Sequence, residues 1–323
     1  MSTLTRKSNY LDNSTISTYK ECPRKYLLRH HLGWSVDYAG KAPALVFGSS
    51  WHAGMDAIWG AGPDVTLPVR TDLAMYSFQQ QWEEDGFTFQ LSMEEQDTLG
   101  ARTPGVAHEM FYNYIQAREV MLKEATVLSI EAPVAMPLPE LEDTWYIGKL
   151  DKVIEWNGVH ILEHKTTSAY AIKGMFQPDW VESWGTSPQV KGYQLIGTMN
   201  YPNLQDVWVD GALVHKKVHD AFKLIPISHA WPLLEEWIAD TRQWIIEIQK
   251  EEYQLAKQGE LSAGMFRKNE DQCFGKYSKC PFLAICSVCT NPLALDGPPM
   301  GYKVERWEPF EILKLDQLLT TKE

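Results

Sequence analysis

The sequence predicts an α/β or α+β core, and three observations carry that expectation. Apolar stripes at three-to-four spacing run through the first third of the chain. Period-two, β-branched runs take over from Val127, and helical periodicity returns at Gln189 and again from Trp231. With 323 residues, 44% of them hydrophobic and 22% charged, the chain can bury a substantial core as one large domain or two modest ones.

Ser14 stands where it can cap a first helix whose buried stripe is Tyr19, Cys22, Tyr26 and Leu27. Arg24, Lys25, Arg29, His30 and His31 form its polar flank. A second helix is expected after a Gly48-Ser49-Ser50 turn; it includes His52, with Met55, Ile58 and Trp59 on its apolar face. Residues 71–86 and 104–124 continue the helical pattern. Strands are expected at 127–136, 145–156 and 159–166, the last two joined by an Asn157-Gly158 turn. A helix at 189–199, strands near 206–216 and 221–228 and a long helix from Trp231 to Lys257 follow. Gly297-Pro298-Pro299 sets off a tail expected to dock through Trp307 and Phe310.

A formal net charge of −12 argues against a protein that coats nucleic acid non-specifically, but not against carboxylate-rich sites for divalent cations. No GxxxxGK[ST] loop, GxGxxG, repeat or low-complexity run occurs, which argues against an ATP-driven motor. The first 25 residues carry Arg6, Lys7, Lys20, Arg24 and Lys25 and no apolar run fit for a signal peptide or a membrane span, so a soluble, cytoplasmic protein is expected. Of five cysteines, Cys22 stands alone while Cys273, Cys280, Cys286 and Cys289 crowd the last quarter, a pattern that suggests a metal centre in a reducing compartment.

In the strand from Val159 to Lys165, Glu163 and Lys165 are two apart and share one face with Val159 and Ile161. A carboxylate can bind a metal there, and an ammonium can orient an attacking water or stabilise phosphorane charge. Taken alone, the pair reads as an ordinary cross-strand ion pair on a solvated face, the usual fate of charges on a strand. Asp151 belongs on the neighbouring strand. A two-residue Asn157-Gly158 loop would face it away from Glu163, whereas a three-residue loop with Gly158 left-handed, as a G1 bulge, pairs Glu155 with Val159 and Asp151 with Glu163.

From Ser14 to Cys286 the chain resembles the PD-(D/E)XK nuclease superfamily, in particular its RecB-like iron-sulfur branch. Gly48-Ser49-Ser50-Trp51-His52 resembles the helix-borne histidine motif and Gly148-Lys149-Leu150-Asp151 the metal-binding aspartate. Glu163-His164-Lys165-Thr166 resembles the glutamate-x-lysine strand, and Gln189-Val190-Lys191-Gly192-Tyr193 the QxxxY element. The resemblance implies a restriction-endonuclease-like α/β fold, a central mixed sheet flanked by helices with a helical iron-sulfur lobe joining the two ends of the chain. It implies that His52, Asp151 and Glu163, with the His164 carbonyl, ligate Mg²⁺ or Mn²⁺, that Lys165 acts on the nucleophilic water, and that Gln189 and Tyr193 contact DNA or brace the site. It also implies a nuclease domain over 1–289, with the lobe at about 10–35 and 265–289, the core at about 125–230, and a docking tail at 290–323.

The segment Cys280 to Cys286 resembles the end of the branch's cluster motif, which implies a [4Fe-4S] cluster on Cys22, Cys273, Cys280 and Cys286. Cys273 precedes Cys280 by seven positions where a CxxC pair is usual, and a zinc site on the four late cysteines, Cys289 included, is the competing reading. Arg24, Lys25, Arg29, Lys276 and Lys279 would form a basic patch for nucleic-acid backbone. Trp180 and Trp184 suit stacking on unpaired bases or core packing. The resulting expectation is a DNA exonuclease of recombination, repair or viral DNA processing, acting on single strands or free ends with a possible helicase or recombination partner. The alternative is a DNA- or protein-binding module in which catalysis is incidental.

Overall fold

The computed structural model describes residues 9–37, 42–171, 175–275 and 279–308; Arg6, Lys7, Lys276 and Phe310 lie outside the described residues. After β1 (Tyr10–Leu11), α1 spans Asn13–Glu21 and is capped by Asp12, whose side chain accepts from the Thr15 N–H at 2.7 Å. The carboxylate takes the cap expected of Ser14, which falls inside the first turn. The first helix is also two pieces. Pro23 has no N–H to give and forces its predecessor out of the helical region, so Cys22 is extended and α2 (Pro23–Tyr26) starts anew. A π-helical turn, Leu27–His31, and β2 (Trp34–Val36) follow.

Helix α3 (Pro43–Gly60) begins on a proline at its first turn, so Gly48-Ser49-Ser50 lies inside the helix and is not the turn before it. Small residues there serve packing. A Cβ on Gly54 would come within 2.2 Å of the Phe111 ring, and Ser50 is fully buried. Next come α4 (Leu67–Glu84), α5 (Met93–Leu99) with a Ser92/Glu95 capping box, α6 (Pro104–Ala117) and α7 (Glu119–Glu124). The strand group is β3 (Thr126–Pro137), β4 (Trp145–Glu155) and β5 (Val159–Thr167), followed by the short β6 (Tyr170–Ala171) and β7 (Met175–Phe176). Then follow α8 (Pro178–Ser183), α9 (Pro188–Asn200), β8 (Leu204–Leu213), β9 (Phe222–Ile227), α10 (Trp231–Gln258), α11 (Leu283–Val288) and β10 (Tyr302–Val304).

The chain divides into two compact units. One comprises Gly40–Val134 and Lys149–Ala230. Its mixed sheet pairs β4 antiparallel to β5, β5 parallel to β8 and β8 antiparallel to β9, with β3 beside β4. Trp51 stacks on Phe111 at 4.4 Å, and this aromatic cluster of α3, α4 and α6 covers one sheet face through Ile154, Leu162 and Trp208. On the other face a Cβ at Gly197 of α9 would come within 2.5 Å of Ile161, so α9 lies directly over the strand that carries Glu163.

The other unit comprises Met1–Ala39, Ala135–Gly148 and Trp231–Glu323. Within it β1 pairs in parallel with the start of β4, and α10 receives the Tyr19 and Tyr26 hydroxyls on Glu251 and Glu252. The tail docks by pairing β10 with β2, a backbone device that the sequence reading, centred on Trp307, did not foresee. No helix among the described residues is long and apolar enough to cross a membrane.

Candidate functional site

The β4–β5 hairpin pairs Glu155 with Val159 and Lys152 with Leu162; one further step in the same register sets Asp151 opposite Glu163. The turn is the expected three-residue loop, closed by the Trp156 N–H on the Gly158 carbonyl at 2.8 Å. Gly158 has the expected positive φ, at 139°, and Asn157 before it is left-handed as well, at φ 55°. Asparagine tolerates the left-handed region, and a Cβ on Gly158 would collide with the Gln205 side chain at 2.4 Å. On the neighbouring face, the His164 N–H donates to Asp151 Oδ2 at 2.9 Å.

Glu163 is 2% exposed. Its Oε1 accepts from Lys165 Nζ at 2.7 Å and from Gln189 Nε2 at 3.0 Å. Gln189 also donates to the Tyr193 hydroxyl, which donates to the Lys149 carbonyl at 3.0 Å. The Ser187 cap starts α9 so that Gln189 and Tyr193, one turn apart, brace the glutamate and the strand before Asp151. Oε2 is buried with no hydrogen-bond partner among the described residues. Burial, and then the Asp151 charge, push the Glu163 carboxyl up to about 7 against the pull of Lys165. Burial draws the Lys165 ammonium down, but Glu163 and Asp151 outweigh it and hold the group charged.

This shift has a sign. Without metal, folded Glu163 keeps a proton that the unfolded chain releases, so stability falls as pH rises from about 4.5 to about 7. The loss is on the order of 2–3 kcal/mol. Glu163→Gln is expected to remove that slope, which denaturant titrations in chelator across the window measure. A slope kept by the variant assigns it to other groups.

From α3, His52 Nδ1 approaches Asp151 Oδ2 at 3.3 Å. A residue absent from the sequence reading joins them: one ligand atom each from His52, Glu131 and Asp151 lie within 4.8 Å of one another. Glu131 sits on β3 at φ 52°, a left-handed conformation that is costly for a non-glycine residue in a strand and sets it apart from the regular ladder. Burial raises its carboxyl against the Lys149 hydrogen bond, with Asp56 and Asp151 adding. The sequence signal was faint, a lone carboxylate in the apolar run Val127–Val134. Lys152 was also missed; fully buried, it pairs with Asp56 at 2.8 Å, one turn after His52.

His164 presents only its main chain to Asp151. Its imidazole is 1% exposed beside Trp59 and Tyr114, 3.7 Å from Asp210, and burial holds it neutral. Trp180 and Trp184 pack on each other at 5.6 Å, with Phe176 stacked on Trp180 and Lys165 over the Trp184 ring at 5.9 Å.

In the other unit, the Cys22 sulfur accepts the Asn269 N–H at 3.4 Å. The Cys280 N–H closes a small hairpin on the Cys273 carbonyl. Burial raises the Cys280 thiol, with Cys22 and Cys273 adding; burial pushes Cys286 to about 11, with Cys280 and Cys22 adding. Charge interactions therefore link Cys280 with Cys22 and Cys273, and Cys286 with Cys280 and Cys22, across two distant segments; all four are free thiols. Cys289 packs with Cys280 and Cys286 against the cluster of Leu28, Trp34, Phe282 and Ile285.

The basic patch is weaker than the sequence suggested. Arg24 is buried, its guanidinium on the Phe266 and Thr290 carbonyls, so it joins two segments and is not offered to phosphate. Lys25 is held by Glu21 and Arg29 by the Glu305 carbonyl, while Lys279 is exposed over Phe274.

The family model of the PD-(D/E)XK nuclease superfamily matches residues 13–287. A crystal structure from Eubacterium rectale, described as a "putative exonuclease", is similar over 89% of this chain and 96% of its own, at 17% identity and a TM-score of 0.50. That likeness concerns the fold. No curated protein matches.

Proposed function

Since the chain belongs to the PD-(D/E)XK nuclease superfamily, we propose that it is a divalent-cation-dependent deoxyribonuclease of the RecB-like branch, working as an exonuclease. The observation that carries this reading is the convergence of Asp151 on β4 with Glu163 and Lys165 on the adjacent β5, with His52 on Asp151.

His52, Asp151 and Glu163, with the His164 carbonyl, would hold Mg²⁺ or Mn²⁺; oxygen donors suit the former and the imidazole favours the latter. The unpaired, buried Glu163 Oε2 fits a missing cation, because an acceptor left without a donor in a dry site is costly. Bound there, the ion would polarise the phosphodiester and acidify the attacking water. Lys165 would orient that water and offset charge developing on the phosphate. Gln189 and Tyr193 hold Glu163 and the β4 backbone in register, so their part is positioning.

The Cys273–Cys280 hairpin and the charge interactions of Cys22 with Cys280 and Cys286 support a [4Fe-4S] cluster in a lobe made of about 10–35 and 265–289, with a core at about 125–230 and a tail at 290–323. Free thiols accord with a reducing, cytoplasmic setting. DNA with free or single-stranded ends is the proposed substrate, and recombination, repair or viral DNA processing, with or without a helicase partner, the setting. Time courses on end-labelled linear and circular DNA, single- and double-stranded, test the reading. Cleavage is expected only with Mg²⁺ or Mn²⁺ and only on linear molecules. Absence of metal-dependent cleavage on every substrate would reject the enzyme, and cutting of closed circles would reject the exonuclease.

A further inference from the structure

Four carboxylates around the candidate site each have a basic side chain beside them. Glu163 has Lys165 at 2.7 Å, Asp56 has Lys152 at 2.8 Å, Asp151 has His52 at 3.3 Å, and Glu131 has Lys149. The three lysines differ in their freedom to leave. The Lys152 side chain is fully buried and that of Lys165 is 24% exposed, whereas that of Lys149 is 49% exposed. Tyr193 pins the Lys149 carbonyl, so its ammonium can swing on a flexible four-carbon stem without moving β4.

Glu131 also belongs to the group whose ligand atoms converge with those of His52 and Asp151. One carboxylate cannot serve a divalent ion and an adjacent ammonium equally, because the two cations repel at such range. The divalent ion gathers several hard oxygens at once and wins that competition. The displaced ammonium is then left at the mouth of a site where, on the nuclease reading, a phosphodiester must enter. A merely solvated ion pair would lack the left-handed backbone that sets Glu131 apart and its convergence with His52 and Asp151.

We propose that Glu131 is a further ligand of the divalent ion and that Lys149 is the ion's stand-in on it. Displaced by the metal, Lys149 becomes a phosphate-positioning residue. Metal entry and substrate binding are thereby coupled through one side chain, and this coupling rests on the nuclease reading above.

Mn²⁺ titrations followed by the signal of the free ion test the competition. Lys149→Met is expected to bind Mn²⁺ about 2- to 5-fold more tightly than wild type, the range an exposed ion pair supplies. Lys149→Arg, which keeps the charge, should stay near wild type, and Glu131→Gln should bind about tenfold more weakly. In a Lys165→Ala background, where DNA stays intact, Mn²⁺ should tighten binding of a labelled oligonucleotide, and adding Lys149→Met should remove most of that gain. Unchanged or weaker Mn²⁺ binding in Lys149→Met, or unchanged binding in Glu131→Gln, overturns the stand-in. A wild-type protein that binds no Mn²⁺ instead removes the metal-dependent reading on which it rests.

Discussion

Alanine at Asp151, Glu163 or Lys165 is expected to lower the cleavage rate by on the order of 10³-fold or more, each alone, while the protein stays folded. Continuing the hairpin register one step sets Asp151 opposite Glu163, and Lys165 reaches Glu163 at 2.7 Å, so each substitution would strip the proposed metal site or the group proposed to act on its water. Losses should not add in double variants, because the three act as one unit. Folding is spared for a physical reason. Glu163 keeps one buried oxygen without a donor, so removing it relieves a cost in the metal-free protein. Product release from end-labelled DNA, read beside circular dichroism and melting in chelator, separates the two effects. Near-normal cleavage by any one variant would sink the assignment.

Cys22→Ala and Cys286→Ala are expected to abolish visible absorbance and to cost several kcal/mol of stability, roughly the scale at which a structural metal centre contributes to folding. Cys22 lies at the extended joint between α1 and α2, and Cys286 lies on α11 more than two hundred residues later, so a shared centre would tie distant segments. Cys289→Ala should keep the colour, since Cys289 lies outside the proposed ligand set of Cys22, Cys273, Cys280 and Cys286. Iron and sulfide analysis with melting curves measures both effects. Full iron in Cys22→Ala together with its loss in Cys289→Ala would make the local four-cysteine set the right one.

Strand periodicity placed Glu163 and Lys165 on one face, since alternation is a property of the local backbone, and the loop count was enough to set Asp151 opposite Glu163. Helix boundaries were less legible. Gly48-Ser49-Ser50 has turn composition, yet close packing, as at Gly54 against Phe111, calls for small residues along that helix, and a single sequence does not separate the two reasons for a small side chain. Arg24 looked like a phosphate contact because charge alone says nothing of burial; its carbonyl partners lie in segments that only the fold brings near.

Local order along the chain therefore determined the strand and helix sequence, the three collinear catalytic candidates, the QxxxY brace and the pairing of early with late cysteines as a question worth asking. Tertiary structure decided the rest: that Glu131 leaves the regular strand geometry beside His52 and Asp151, that Lys152 is buried on Asp56, and that the tail docks through β10. The division has one physical cause. Periodicity and capping act over a few residues and leave a trace in the sequence, whereas convergence of charges from separate strands and helices depends on packing that no local pattern encodes.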